Sequence, residues 1–230
     1  MKVLGIETAT AVCAAAVVED GRILSESSLE QLHVHSEVLM KQIDEVLTDT
    51  GSRLDALDGI AVSIGPGSFT GLRIGLGVAK GLSWATGTRL AAVPTLRAVA
   101  RRALDTGGIQ VPCLVLSALD ARRGEVYCQL FQAGESGLTP VGDEQVMTLS
   151  ALLVELGDRE VVVAGDSSAF RAVAVGRERL RFLPASVARC TAGAVALEGE
   201  IQLRLGNTVS PGSIEPRYVM EFRTRTGVVT

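Results

Sequence analysis

The chain has 230 residues, 47% of them hydrophobic and only 3% aromatic, with a formal charge of −4. That length suits one compact unit or two small subdomains, and the Ala-, Val-, Leu- and Gly-rich composition points to packed α/β layers rather than a β-sandwich. The acidic balance gives no global pull toward nucleic acid or anionic membrane, and no run of about 18 apolar residues, the length of a membrane span, occurs.

The N-terminus runs straight into a strand, Val3 to Glu7, whose early acid argues against a signal peptide. Ala14 to Glu19 and Arg22 to Leu29 flank Asp20-Gly21, a hairpin signal. A helix is expected from Ser36 to Thr50, with Ser36 as cap, Gly51 as stop and one apolar stripe of Leu39, Ile43, Val46 and Leu47. His33 and His35 have no third ligand nearby, so no metal site is expected. No nucleophile elbow supports a Ser-His-Asp triad.

A strand from Gly59 to Ile64 then leads into Gly65-Pro66-Gly67 and a helix that carries Gly71, Gly75, Gly77 and Gly81. Each helical glycine costs about 1 kcal/mol relative to alanine, so the four need compensation from a close approach or a ligand. The loop lacks the Gly-Lys-Ser/Thr ending of a phosphate loop and the spacing of a dinucleotide fingerprint. Two readings stay open: an anion on the helix N-terminus, or a tight turn that lets helix and strand pack. On a helical wheel Gly71, Ile74, Gly75, Val78 and Leu82 share one side, extended by Gly77 and Gly81. Leu72, Leu76, Ala79 and Ser83 line nearly the opposite side, and only Arg73 and Lys80 form a charged strip. Such a helix is buried on two sides, one against its own sheet and the other against a neighbouring helix or a partner.

A strand from Leu90 to Val93 precedes Pro94 and a helix from Leu96 to Leu104. After Gly107-Gly108 the opening pattern recurs: a strand Cys113 to Leu119 ends at Asp120 and pairs with Val126 to Gln132. The acids Glu7 and Asp120, with Thr8, therefore sit at equivalent strand ends of two halves, where they could hold Mg²⁺ and phosphate or merely cap loops. A helix near Ser150 to Leu156, a strand Glu160 to Ala164, a helix Thr191 to Leu205 and an irregular tail from Ser210 complete the chain. Cys13, Cys113, Cys128 and Cys190 form no Cys-x-x-Cys pair and read as buried, reduced thiols of a cytoplasmic protein. Arg101-Arg102, Arg122-Arg123 and Arg177 to Arg181 are local basic clusters or solvated surface.

Gly5-Ile6-Glu7-Thr8-Ala9-Thr10, His35-Ser36-Glu37, the run Gly65 to Gly75, and Asp120-Ala121-Arg122-Arg123-Gly124-Glu125-Val126-Tyr127 resemble the TsaB (YeaZ) family, in the family's order. Ala164-Gly165-Asp166 and Pro216-Arg217-Tyr218-Val219 are looser matches, and Met220 stands where an arginine is common. The resemblance implies an α/β actin-like (ASKHA, ribonuclease H-like) fold of two subdomains, 1–104 and 105–230, with the helix near 191–205 packing back on the first. It implies a part in forming N6-threonylcarbamoyladenosine at position 37 of tRNAs that read codons beginning with A. In that pathway a paralogue, TsaD, catalyses the transfer and an ATPase, TsaE, completes the complex. TsaD carries a His-x-x-x-His pair after the strand and proline that follow the glycine helix; the matching stretch here, Pro94 to Arg101, has no histidine. The expectation is a non-catalytic dimer partner of a TsaD-like enzyme, or a homodimer, with no cofactor and with tRNA met only through the complex. His35, Leu39, Ile43, Gly71, Arg73, Gly75, Val78 and Lys80 are the candidate interface residues. The alternative is a small ASKHA-type ATP-dependent phosphotransferase with Glu7, Thr8 and Asp120 at its nucleotide site.

Overall fold

The computed structural model describes residues 1–30, 35–166 and 168–219, and the backbone of 223–224 and 227–228. His33 and Met220 lie outside these residues. Strands β1 (Lys2–Glu7), β2 (Val12–Glu19) and β3 (Arg22–Glu30) form an antiparallel meander. Asp20 and Gly21 both adopt positive φ at its first turn, the conformation a two-residue hairpin needs. β4 (Gly59–Gly65) and β5 (Arg89–Pro94) add in parallel beyond β1, giving the order β3-β2-β1-β4-β5. The second sheet repeats this plan. β6 (Cys113–Arg122), β7 (Glu125–Gly134) and β8 (Gly137–Thr148) are antiparallel, and β9 (Val161–Ala164) and β10 (Leu180–Phe182) follow in parallel. The order β8-β7-β6-β9-β10 is the first sheet's order over again.

Both faces of the first sheet are covered, so its central strands are apolar throughout rather than alternating. Along β2, Cys13, Ala15 and Val17 face the core formed with α1 (His35–Asp49) and α2 (Phe69–Thr86). Val12, Ala14 and Ala16 face Ala192, on α7 (Ala192–Arg204). The α7 backbone lies so close to β1 that a Cβ at Gly5 would stand 2.2 Å from the Ala192 carbonyl oxygen. α3 (Thr95–Asp105) and α7 pack together, and Arg97 Nε donates to Glu198 Oε2 at 2.6 Å across that contact. Leu96, Val99, Val115, Phe131, Val195 and Leu197 belong to one core that runs from the first sheet into the second. On the outer face of the second sheet α4 (Leu149–Leu156) and α5 (Ser168–Val173) bury Leu116, Leu152, Leu156 and Phe170. A single turn, α6 (Ala185–Ala188), packs against α3.

The tail is not irregular throughout, since β11 (Arg223–Thr224) and β12 (Gly227–Val228) form a two-residue ladder. No described helix is long and apolar enough to cross a membrane.

Candidate functional site

Gly65 to Gly71 is packed onto the turn that follows β1. Ser68 caps α2 by accepting from Gly71 N at 3.2 Å, and its own N–H donates to the Ala9 carbonyl at 2.7 Å. Thr8 is fully buried and its Oγ1 donates to the Gly71 carbonyl at 2.8 Å. A Cβ at Gly71 would stand 2.0 Å from the Thr8 carbonyl oxygen, and one at Gly75 2.2 Å from Thr8 Oγ1. The chain itself takes Ser68 N and Gly71 N, and two glycines admit Thr8, features that the packing reading of this loop expects.

The carboxylates of the two halves are likewise engaged. Glu7 is wholly buried; its Oε1 accepts from Thr10 N and Thr10 Oγ1, and its Oε2 lies 3.4 Å from Cys190 Sγ. Burial pushes the Glu7 carboxyl up from the usual range, against the hydrogen bonds from Ser63, Cys190 and Thr10 that favour its charged form. Burial also pushes the Cys190 thiol far up, helped by Glu7. Asp120 Oδ1 accepts from Arg122 N at 2.8 Å and so closes its own hairpin, where Arg122, Arg123 and Gly124 all have positive φ. A cleft of about 180 Å³ does open between the two sheets, lined among others by Thr10, Leu119, Asp166, Ser168, Arg171 and Arg189. Neither Glu7 nor Asp120 lines it. Its arginines are committed: Arg171 donates to the Leu183 carbonyl and Arg189 pairs with Glu30. Of the residues named for a nucleotide site, Glu7 and Thr8 are thus buried within the chain, while Asp120 is exposed on its hairpin turn.

The interface candidates separate into two groups. His35, Leu39, Ile43, Gly71 and Gly75 are buried within the chain. Leu39 and Ile43 belong to the core over the first sheet, and His35 Nε2 is 3.2 Å from the Thr10 carbonyl. These five are covered by the chain's own packing. Val78 and Lys80 are half-buried and Arg73 is exposed. Around Arg73 the outward face of α2 continues through Gly77, Gly81 and Trp84, and Trp84 is 78% exposed. A Cβ at Gly77 or Gly81 meets no described atom within 4 Å. On α1, Met40 is also exposed. At the start of α2, Tyr218 stacks on Phe69 with centroids 5.4 Å apart, and Arg73 Cζ sits 4.0 Å from the Phe69 centroid. Neither Trp84 nor Tyr218 is among the interface residues expected from the sequence. The signal for the first was a lone aromatic at the end of a glycine-rich helix.

The basic clusters serve the fold in part. Arg101 pairs with Asp105, while Arg179 and Arg181 donate to the carbonyls of Asp158 and Gly108.

Residues 22–181 match the family model described as TsaD: tRNA N6-adenosine threonylcarbamoyltransferase. The chain is 36% identical over 138 residues to the tRNA threonylcarbamoyladenosine biosynthesis protein TsaB of Escherichia coli (strain K12), covering 60% of this chain and 58% of that protein. It is 30% identical over 160 residues to TsaB of Bacillus subtilis (strain 168), covering 70% of this chain and 68% of that one. The match thus spans little more than half the length of the first relative. Among solved structures, YeaZ from Pseudomonas aeruginosa superposes with a TM-score of 0.81 at 28% identity, covering 94% of this chain and 99% of that chain. A ROK hexokinase from Thermus thermophilus superposes at 0.53 with 16% identity, covering 89% and 100%, a likeness of fold alone. Together with the doubled sheet order, these give the chain an actin-like α/β fold.

Proposed function

The chain belongs to the TsaB (YeaZ) family, and from that premise we propose that it is a cytoplasmic, non-catalytic subunit in forming N6-threonylcarbamoyladenosine at position 37 of tRNAs that read codons beginning with A. It holds a TsaD-type enzyme, with a TsaE-type ATPase completing the complex, and meets tRNA through that complex. A second copy of this chain occupies the same face when the enzyme is absent. The non-catalytic part of the reading is supported by the engagement of Glu7 and Asp120 inside the chain.

The observation that carries the reading is the outward face of α2. Gly77 and Gly81 sit mid-helix with open space beside them, at a cost of about 1 kcal/mol each that the fold does not explain. They leave a low surface beside Trp84, a residue type enriched at the energetic centres of interfaces. Gly77→Leu fills that surface without touching the chain's own core. The variant is expected to stay folded and to lose co-elution with a TsaD-type partner on gel filtration, as is Trp84→Ala. Reconstituted tRNA modification is expected to require the parent chain and to fail with either variant. Undiminished co-elution of both variants overturns the assignment of this face.

A further inference from the structure

The tail after α7 returns across the first sheet. Val209 bridges Leu90 on β5, Ile214 is buried in the core beneath α1 and α2, and Arg217 N donates to the Ile64 carbonyl at 2.7 Å. A Cβ at Gly65 would stand 2.6 Å from the Arg217 carbonyl oxygen. One residue later Tyr218 lies on Phe69, the first residue of α2.

The side chain of Arg217 reaches the other sheet. Its Nη1 is 3.2 Å from Glu144 Oε2 on β8. The Glu144 side chain is 1% exposed and accepts no hydrogen bond from a described residue. A local irregularity puts it there. Register between β7 and β8 slips between Cys128–Gln145 and Leu130–Val141, so Gly142, Asp143 and Glu144 stand opposite Gln129 alone. Bulges of this kind re-aim a side chain. Burial pushes the Glu144 carboxyl up and Arg217 draws it back down. A buried carboxylate with one cationic partner loses heavily when that partner is removed.

We infer that residues 210–219 form a strap that locks the second sheet to the start of α2, with Glu144 and Arg217 as positioning residues for the partner-binding face. Arg217 is the joint: its backbone is fixed to β4 and its guanidinium to β8, while the next residue holds Phe69 and, through it, Arg73. The second half of the inference rests on the reading of α2 as that face.

The test uses the full-length chain and the variants Glu144→Gln, Arg217→Gln, the double variant and Arg217→Lys. Amide hydrogen exchange over residues 64–73 of the isolated chain reads the strap without any partner. Glu144→Gln and Arg217→Gln are each expected to speed that exchange about tenfold, the size of a contact coupling near 1.4 kcal/mol. The double variant should be no faster than the singles, and Arg217→Lys should restore most of the protection. Affinity for a TsaD-type partner is expected to fall and recover in parallel. Unchanged exchange in Glu144→Gln overturns the strap, as does strict additivity in the double variant. Should Arg217→Gln not fold, Tyr218→Ala probes the same strap and is expected to speed the same exchange. If exchange responds while partner affinity is unmoved in these variants and in Trp84→Ala, the strap stands and the partner face falls.

Discussion

Thr8 divides the glycines of α2 into two pairs. Gly71 and Gly75 face its carbonyl and hydroxyl, and a methyl group there has 2.0 and 2.2 Å of room. Gly77 and Gly81 face open space. Alanine at Gly71 or Gly75 is therefore expected to lower the melting temperature by several degrees, overpacking costing about 1–3 kcal/mol. Alanine at Gly77 should raise stability by up to about 1 kcal/mol, and thermal denaturation of the three variants separates the pairs. Glu7 gives a second test. Its folded pKa lies above its unfolded value because burial disfavours the charge, so its contribution to stability is greatest below the unfolded pKa and is lost as pH rises through the folded one. Glu7→Gln removes that loss. Urea unfolding should show the variant gaining on the parent at pH 8 and much less at pH 4; an equal difference at both values would count against it.

At the level of elements, most of the first sheet was legible because its signals are local. Asp20-Gly21 fixes the hairpin, Gly51 ends α1 and Ser68 caps α2. β8 was not legible. Pro140, the bulge at Gly142 to Glu144 and exposure of much of the strand break the alternation that marks a half-buried strand. β10, α5 and α6 are too short to show a period. The site was legible only in outline. A helix wheel separates the faces of α2, but nearly all its faces are apolar, so the pattern does not say which one meets the sheet; Gly71 and Gly75 went to the sheet with Leu72 and Leu76. Contacts between distant segments, such as Arg97 with Glu198, left no mark in either local sequence. Glu198 is 1% exposed and Arg97 is its near partner at 2.6 Å. Arg97→Ala should cost about 3–5 kcal/mol in chemical denaturation, because it strands a buried charge; a loss below 1 kcal/mol would show that Arg101, 4.0 Å away, suffices.

For the whole molecule, the single tryptophan is a built-in reporter, since Trp84 stands on the outward face of α2. Its emission is expected near that of a water-exposed indole in the free chain and to shift to shorter wavelength on adding a TsaD-type partner. Absence of any shift at saturating partner would remove Trp84 from the contact. The placement of α7 has a consequence for synthesis on the ribosome. Its residues 192–204 cover the face of a sheet whose last strand ends at Pro94. Apart from the part that α3 covers, that face, with Ala14 and Ala16 on it, stays bare while the entire second sheet is being translated. A fragment ending at residue 105 should therefore be sticky rather than folded, binding hydrophobic dye and pelleting on centrifugation. Supplying a peptide of residues 190–206 in trans should rescue part of it. The first sheet is thus completed by a helix far along the chain from its own strands, a long-range contact of the kind that slows folding.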